Sequence, residues 1–148
     1  MAESVAEELR RLVEERVRQA GQAGLQAVVD VGLQIWHDAN QTAPKRTGDL
    51  RASAYLAVDG VEQASGEQPP QSMRAPIWGG ALRHVVEFGY GVHYAIYVHE
   101  LGEKQKEFKH PSTPGTRPKW LELTLQENRD RYQRYIEQKV QEALNDAG

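Results

Sequence analysis

The chain has no cysteine, which excludes disulfides, thiolate metal sites and a cysteine nucleophile. It has no apolar run approaching the roughly 18 residues that cross a bilayer. Its first residues, Met1 to Glu8, are acidic and carry no apolar h-region, unlike a secretory signal. It also lacks a strong charge of either sign. The formal net charge of −3 gives a phosphate backbone no long-range pull. There is no internal repeat and no phosphate-cradling loop, since Gly89-Tyr90-Gly91 lacks the further glycine and lysine such a loop needs. These absences lead us to expect a chain made and folded in a cytoplasm, with no membrane and no sequence-specific nucleic acid among its partners.

What is present fits one domain of 148 residues. Hydrophobic residues make up 39% and charged residues 26%, enough apolar material for a modest core with surface left for partners. A mean hydropathy of −0.68 suits elongated, well-solvated helices. Acids and bases alternate, as in Glu7-Glu8-Leu9-Arg10-Arg11 and Arg129-Asp130-Arg131, the pattern of a solvated helix face.

Val5, Leu9, Leu12, Val13, Val17 and Ala20 recur at helical spacing, and the stripe continues through Leu25, Val28, Val29, Leu33, Ile35, Trp36 and Ala39. Ser4 with Glu7 reads as a capping box, while Asn40, Thr42 and Pro44 break the pattern. The spacing predicts a helix over 4–40, bent near Gly21 and Gly24. Unbroken it spans about 55 Å, longer than a small domain requires, so that part of it projects or packs on a neighbour.

A sheet region is predicted over 48–100, with strands at Leu50 to Val58, at Ile77-Trp78, at Leu82 to Phe88 and at Tyr94 to His99. Asp59-Gly60 is a turn signal, and Gly89-Tyr90-Gly91 reads as another. Residues 60–76, polar and rich in Gly and Pro, read as a long mobile loop, and 102–118 as a second loop. Trp120, Leu121, Leu125, Tyr132, Tyr135, Ile136, Val140 and Leu144 then predict a helix over 118–146. The order gives an α+β class: a long N-terminal helix, a central antiparallel sheet with long loops, and a C-terminal helix packed on the sheet.

Several residues at the element joints carry identifiable jobs. Pro44 ends the first helix, and Thr47-Gly48 supplies a cap or turn into the first strand. Leu50 packs inward while Arg51 stays out or pairs. Tyr94, Tyr97 and Val98 suit a sheet, and Arg117-Pro118 is a helix-start signal. These jobs specify the fold first and any contact with a partner second.

Three stretches in order carry a resemblance. They are Thr42-Ala43-Pro44-Lys45-Arg46-Thr47-Gly48-Asp49-Leu50-Arg51-Ala52-Ser53, then Tyr94-Ala95-Ile96-Tyr97-Val98-His99-Glu100-Leu101-Gly102, then Thr116-Arg117-Pro118-Lys119-Trp120-Leu121. Together, after a long helix, they resemble the tail-completion or head–tail joining proteins of the tailed-bacteriophage neck, also called minor capsid or tail components. Here His99 stands before Glu100, and Leu101-Gly102-Glu103 replaces a Gly-Thr. The resemblance implies a structural virion protein that is not an enzyme. It implies a homo-oligomeric ring between the portal or its adaptor and the tail tube, with neck and tail proteins as partners. In that reading the loops at 60–76 and 102–118 order on contact. On the same resemblance Pro44, Thr47, Gly48, Leu50, Arg51, Tyr94, Ala95, Tyr97, Val98, Glu100, Gly102, Arg117 and Pro118 are the motif positions. The rival reading is a cytoplasmic interaction module, antitoxin-like, that pairs through its terminal helices.

Catalytic chemistry finds little support. His93 and His99 share a strand face in a regular strand, with Glu87 and Glu100 near in sequence, but no known ligand spacing is present. His99-Glu100-Leu101-Gly102-Glu103 opens like the metalloprotease helix motif and lacks its second histidine. Glu87 with Glu100 is the only carboxylate pair that suggests glycoside hydrolysis, and the pattern offers no second lobe to form a cleft. Ser53 and Ser65 have no nucleophile-elbow context. No cofactor or metal is expected.

Overall fold

A computed structural model describes residues 2–44, 49–80, 84–91 and 119–146, with side chains from Val5 onward. The first element, α1, runs from Ala2 to Thr42. It passes Gly21 and Gly24 as one helix, and it starts two residues ahead of the expected start at 4. It runs two residues past the expected end at 40 and stops two residues before Pro44.

Leu50 does not open a strand. Asp49–Ala52 forms a single helical turn, α2, closed by Ser53, whose Oγ donates to the Leu50 carbonyl at 2.7 Å. The strand β1 begins later, at Ala54–Val58. Asp59 and Gly60 both have positive φ, 50° and 83°, the type I′ geometry that matches strand twist in a two-residue hairpin. They deliver the chain into β2, Val61–Ser65. The register shifts between Leu56 and Ala57, a bulge that leaves Gln63 as the extra residue. With β3, Val86–Tyr90, the sheet is antiparallel in the order β2-β1-β3.

Three expectations give way here. Residues 61–65 of the anticipated mobile loop are strand β2, hidden from periodicity because the strand is mostly exposed on both faces. Residues 66–78 are a strap held along α1 by side-chain amides, described below. Gly89 and Tyr90, read as a turn, belong to β3. Gly89 lies opposite Tyr55, and a Cβ added there would come within 3.1–3.3 Å of the Tyr55 ring. The glycine makes room for a cross-strand aromatic. Ile77-Trp78 form no strand, because their backbone partner is a glutamine side chain and not a ladder.

The last helix, α3, spans Trp120–Asp146 and lies along α1. It also packs on the sheet through its first residue, where the Trp120 ring meets Tyr90 edge-on at 5.6 Å. That contact ends a row of rings that starts with Trp36 and Phe88 at 5.9 Å and continues with Phe88 and Tyr90 at 5.4 Å. The fold is therefore α+β as expected, with α1 as the shared partner. One face of α1, Leu25, Val29, Leu33 and Trp36, packs on Ala54, Leu56 and Val58 of β1. At Gly32 a Cβ would lie 2.6 Å from Leu56 Cδ1, so sheet and helix approach to the backbone. On the other face Gly24 receives Val140, and Asp30 and Asp38 accept from Tyr135 and Tyr132 of α3 at 2.8 and 2.6 Å. Two antiparallel helices thus share a seam of small and polar residues. No helix among the described residues is long and apolar enough to cross a membrane.

Candidate interaction surface

Of the motif positions, Pro44, Leu50 and Arg51 lie in described segments, and the structure brings them to one joint. Leu50 is buried with Ala39, Ala43 and Trp120. Arg51 donates from Nε to the Ala43 carbonyl at 2.8 Å, satisfying an acceptor at the end of α1 that has no intrahelical partner. Asn40, which the sequence offered only as a helix breaker, organises this corner. Its Nδ2 donates to the carbonyls of Glu67 and Arg51 at 2.8 and 3.3 Å, and its Oδ1 accepts from Tyr90 Oη at 2.7 Å. Thr47, Gly48, Tyr94, Ala95, Tyr97, Val98, Glu100, Gly102, Arg117 and Pro118 lie outside the described residues, as does the loop at 102–118.

Two further residues that sequence reading passed over are Gln22 and Gln26, one helical turn apart. Gln26 donates to the Met73 carbonyl and accepts from the Ala75 N–H, both at 2.8 Å. Gln22 donates to the Pro76 carbonyl at 3.0 Å and accepts from the Trp78 N–H at 2.7 Å. Each primary amide offers donor and acceptor side by side, so the pair serves the strap as a neighbouring strand would. Trp36 Nε1 holds the strap's start at the Gly66 carbonyl, 3.1 Å away. Trp78 holds its end against Gly21, where any Cβ would meet the indole at 2.6 Å. An i, i+4 pair of glutamines beside an apolar stripe was the available signal.

Several polar groups elsewhere among the described residues are engaged with one another. A cleft of about 790 Å³ opens between the strap and α3, lined by Asp30, His37, Pro69, Arg131, Tyr132 and Tyr135 among others. Its acid Asp30 accepts from Tyr135 and Gln26. At its edge Asp38 accepts from Tyr132 and from Arg131 at 2.8 Å. Burial, and then the hydrogen bond to Asp38, raise the Tyr132 phenol well above its ordinary value, so it stays a proton donor. Glu87 accepts from Tyr55 Oη at 3.0 Å, while Glu100, His93 and His99 lie outside the described residues. Ser53 is occupied in closing α2. Among the described residues no three His, Asp or Glu side chains converge on a metal position.

Among the described residues, five of the nine exposed large hydrophobic side chains lie on the outer third of α1, with Val61, Ile77, Val85 and Leu125 apart from them. Val5, Leu9, Leu12, Val13 and Val17 are 66%, 61%, 64%, 54% and 53% exposed. They continue the face that α3 covers further along, as the 3.6-residue period requires. The cover ends where Arg16 reaches the Leu144 carbonyl at 2.9 Å. Upstream of that point the helix is a bare amphipathic rod, its apolar ridge flanked by Glu8 and Glu15 on one side and Arg10 and Glu14 on the other. A contiguous exposed apolar ridge of this kind is a candidate interaction surface. Comparison with protein-family models, with curated proteins and with solved structures finds no match to this chain.

Proposed function

We propose that this chain is a structural virion protein of the phage neck. It completes or joins the tail to the head as part of a ring between the portal or its adaptor and the tail tube. The observation that carries the reading is the bare ridge from Val5 to Val17, built on a helix whose later length packs on the sheet and on α3. Such a feature supports a protein that is completed by its neighbours. The three joint motifs support the neck in particular, through their resemblance to tail-completion proteins. The partners in this proposal are other neck and tail proteins and further copies of the chain, in a virion assembled in the host cytoplasm. Its work is binding, with no catalytic turnover.

The rival, a module that pairs through its terminal helices, is less well supported. α1 and α3 already pack on each other, through Tyr132–Asp38, Tyr135–Asp30 and Gly24–Val140. The polar seam between them is therefore already filled within the chain. Docking through the ridge also replaces the expected ordering of a loop at 60–76, since residues 66–78 are fastened to α1 in the free chain.

A nonsense mutation in the gene tests the proposal. Electron microscopy of the lysate should show filled heads and separate tails, rejoined when the protein is supplied in trans. Intact particles in the mutant lysate, or purified virions without the polypeptide, would refute it.

A further inference from the structure

A second apolar feature lies on the opposite end of the α1–α3 pair. Val31 and Ile35 of α1 and Leu121, Leu125, Arg129 and Tyr132 of α3 line an open groove of about 620 Å³. Its surface is overwhelmingly apolar, and Leu125 is 40% exposed. Along α3 the groove runs from Leu121 to Tyr132, about 17 Å at 1.5 Å per residue. The ridge, Val5 to Val17, is about 18 Å long by the same rise. The lengths match. One feature is convex and the other concave, and both follow the same helix axis at its two ends.

We infer that the ridge of one copy docks into the α1–α3 groove of a second copy, head to tail. Three observations select a second copy as the occupant. The ridge extends the face of α1 that already packs against α3 within the chain, so the docked helix meets α3 of the second copy with that same face. The charges agree: on the ridge flanks Glu8 and Glu14 outnumber Arg10, Arg129 stands at the groove rim, and the rim acid Glu122 is engaged by Lys119 at 3.6 Å. Finally, ridge and groove cannot meet within one molecule, because the helix that carries the ridge also forms a wall of the groove further along. A contact between different surfaces is heterologous, and repeating it closes a ring when the rotation allows. The inference thus names a partner for the assembly proposed above, yet it concerns the isolated chain and is tested apart from any virion.

Light scattering on the purified full chain, up to about 1 mM where even a weak contact is populated, provides the test. The mass should rise above that of a monomer with concentration. A ridge variant, Leu9→Glu with Val13→Glu, and a groove variant, Leu125→Glu, should each stay monomeric with unchanged circular dichroism. Mixed one to one, they retain one good ridge and one good groove between them, and should form a complex of two chains and no larger. A wild-type chain monomeric throughout would overturn the inference. So would a groove variant that associates normally, which means ridge packs on ridge, or a mixture that stays monomeric. A groove variant that melts early without any change in association would show that the chain itself fills the groove, and would equally end the proposal. Loss of virion joining with intact ring contacts would bear on the neck reading alone.

Discussion

Between residues 5 and 17 and between residues 25 and 42, α1 repeats similar apolar spacing in opposite surroundings. The inner segment has Val29, Trp36 and Ala39 at 0% exposure, clasped by the sheet on one side and α3 on the other. The outer segment has every large aliphatic side chain more than half exposed. Local sequence makes both segments helical, and only tertiary neighbours separate them. The inner segment is paired with small residues, Gly24, Ala27 and Gly32, that admit close approach. The outer one has bulky Leu and Val, and no element among the described residues covers them. A pattern that indicates a core is thus left exposed where no described element covers it.

The largest way to break this comparison is at Trp36. Trp36→Ala removes a fully buried ring and its hydrogen bond to Gly66, and should cost about 3–5 kcal/mol in urea unfolding. Gln26→Leu comes next. It strips the strap of two hydrogen bonds and leaves the Ala75 N–H and Met73 carbonyl unmatched, at about 1–3 kcal/mol. Faster hydrogen exchange should be confined to the strap amides, and uniform exchange across the protein would show that the strap is not a separate unit.

Tyr90→Phe is smaller at neutral pH, about 1 kcal/mol for the hydrogen bond to Asn40, but it has a distinct pH signature. Burial raises the Tyr90 phenol far above its ordinary value, against smaller opposing effects of Trp120 and Arg51. The folded state therefore holds a proton that the unfolded state releases first. Tyr90's contribution is complete below the ordinary tyrosine value of about 10 and is lost as pH climbs from there toward the raised value. In Tyr90→Phe the alkaline limb of the stability curve should flatten, and an unchanged limb would assign it to other groups. Smallest of all, Leu9→Ala should alter monomer stability by no more than about 0.5 kcal/mol. A loss comparable to that of Trp36→Ala would abolish the distinction between the two segments.

The parts of the fold legible in the sequence are those written locally. Helical periodicity located α1 and α3, and Asp59-Gly60 announced its hairpin because both residues tolerate positive φ. β2 was illegible for a physical reason: Val61-Glu62-Gln63-Ala64-Ser65 buries almost nothing, so no alternation betrays it. The strap was hidden because its partners, Gln22, Gln26 and Asn40, lie 27 to 56 residues away in the chain. Gly89 suggested a turn because the ring that needs its missing Cβ belongs to Tyr55, on another strand. At the candidate surface, the excess length of α1 was evident from periodicity alone. The groove was not, since Ile35 and Leu125 read as ordinary core positions until α1 and α3 are placed side by side.

The continuity of α1 has a mechanical consequence. Its hydrogen-bonded ladder runs without interruption from Ala2 to Thr42, with no proline before Pro44 to act as a hinge. The free end is a lever arm, and its fulcrum is the stretch fastened to both the sheet and α3. A tilt imposed at Val5 is not absorbed locally; it turns both layers together, so strain at one joint of an assembly would be passed on to the next.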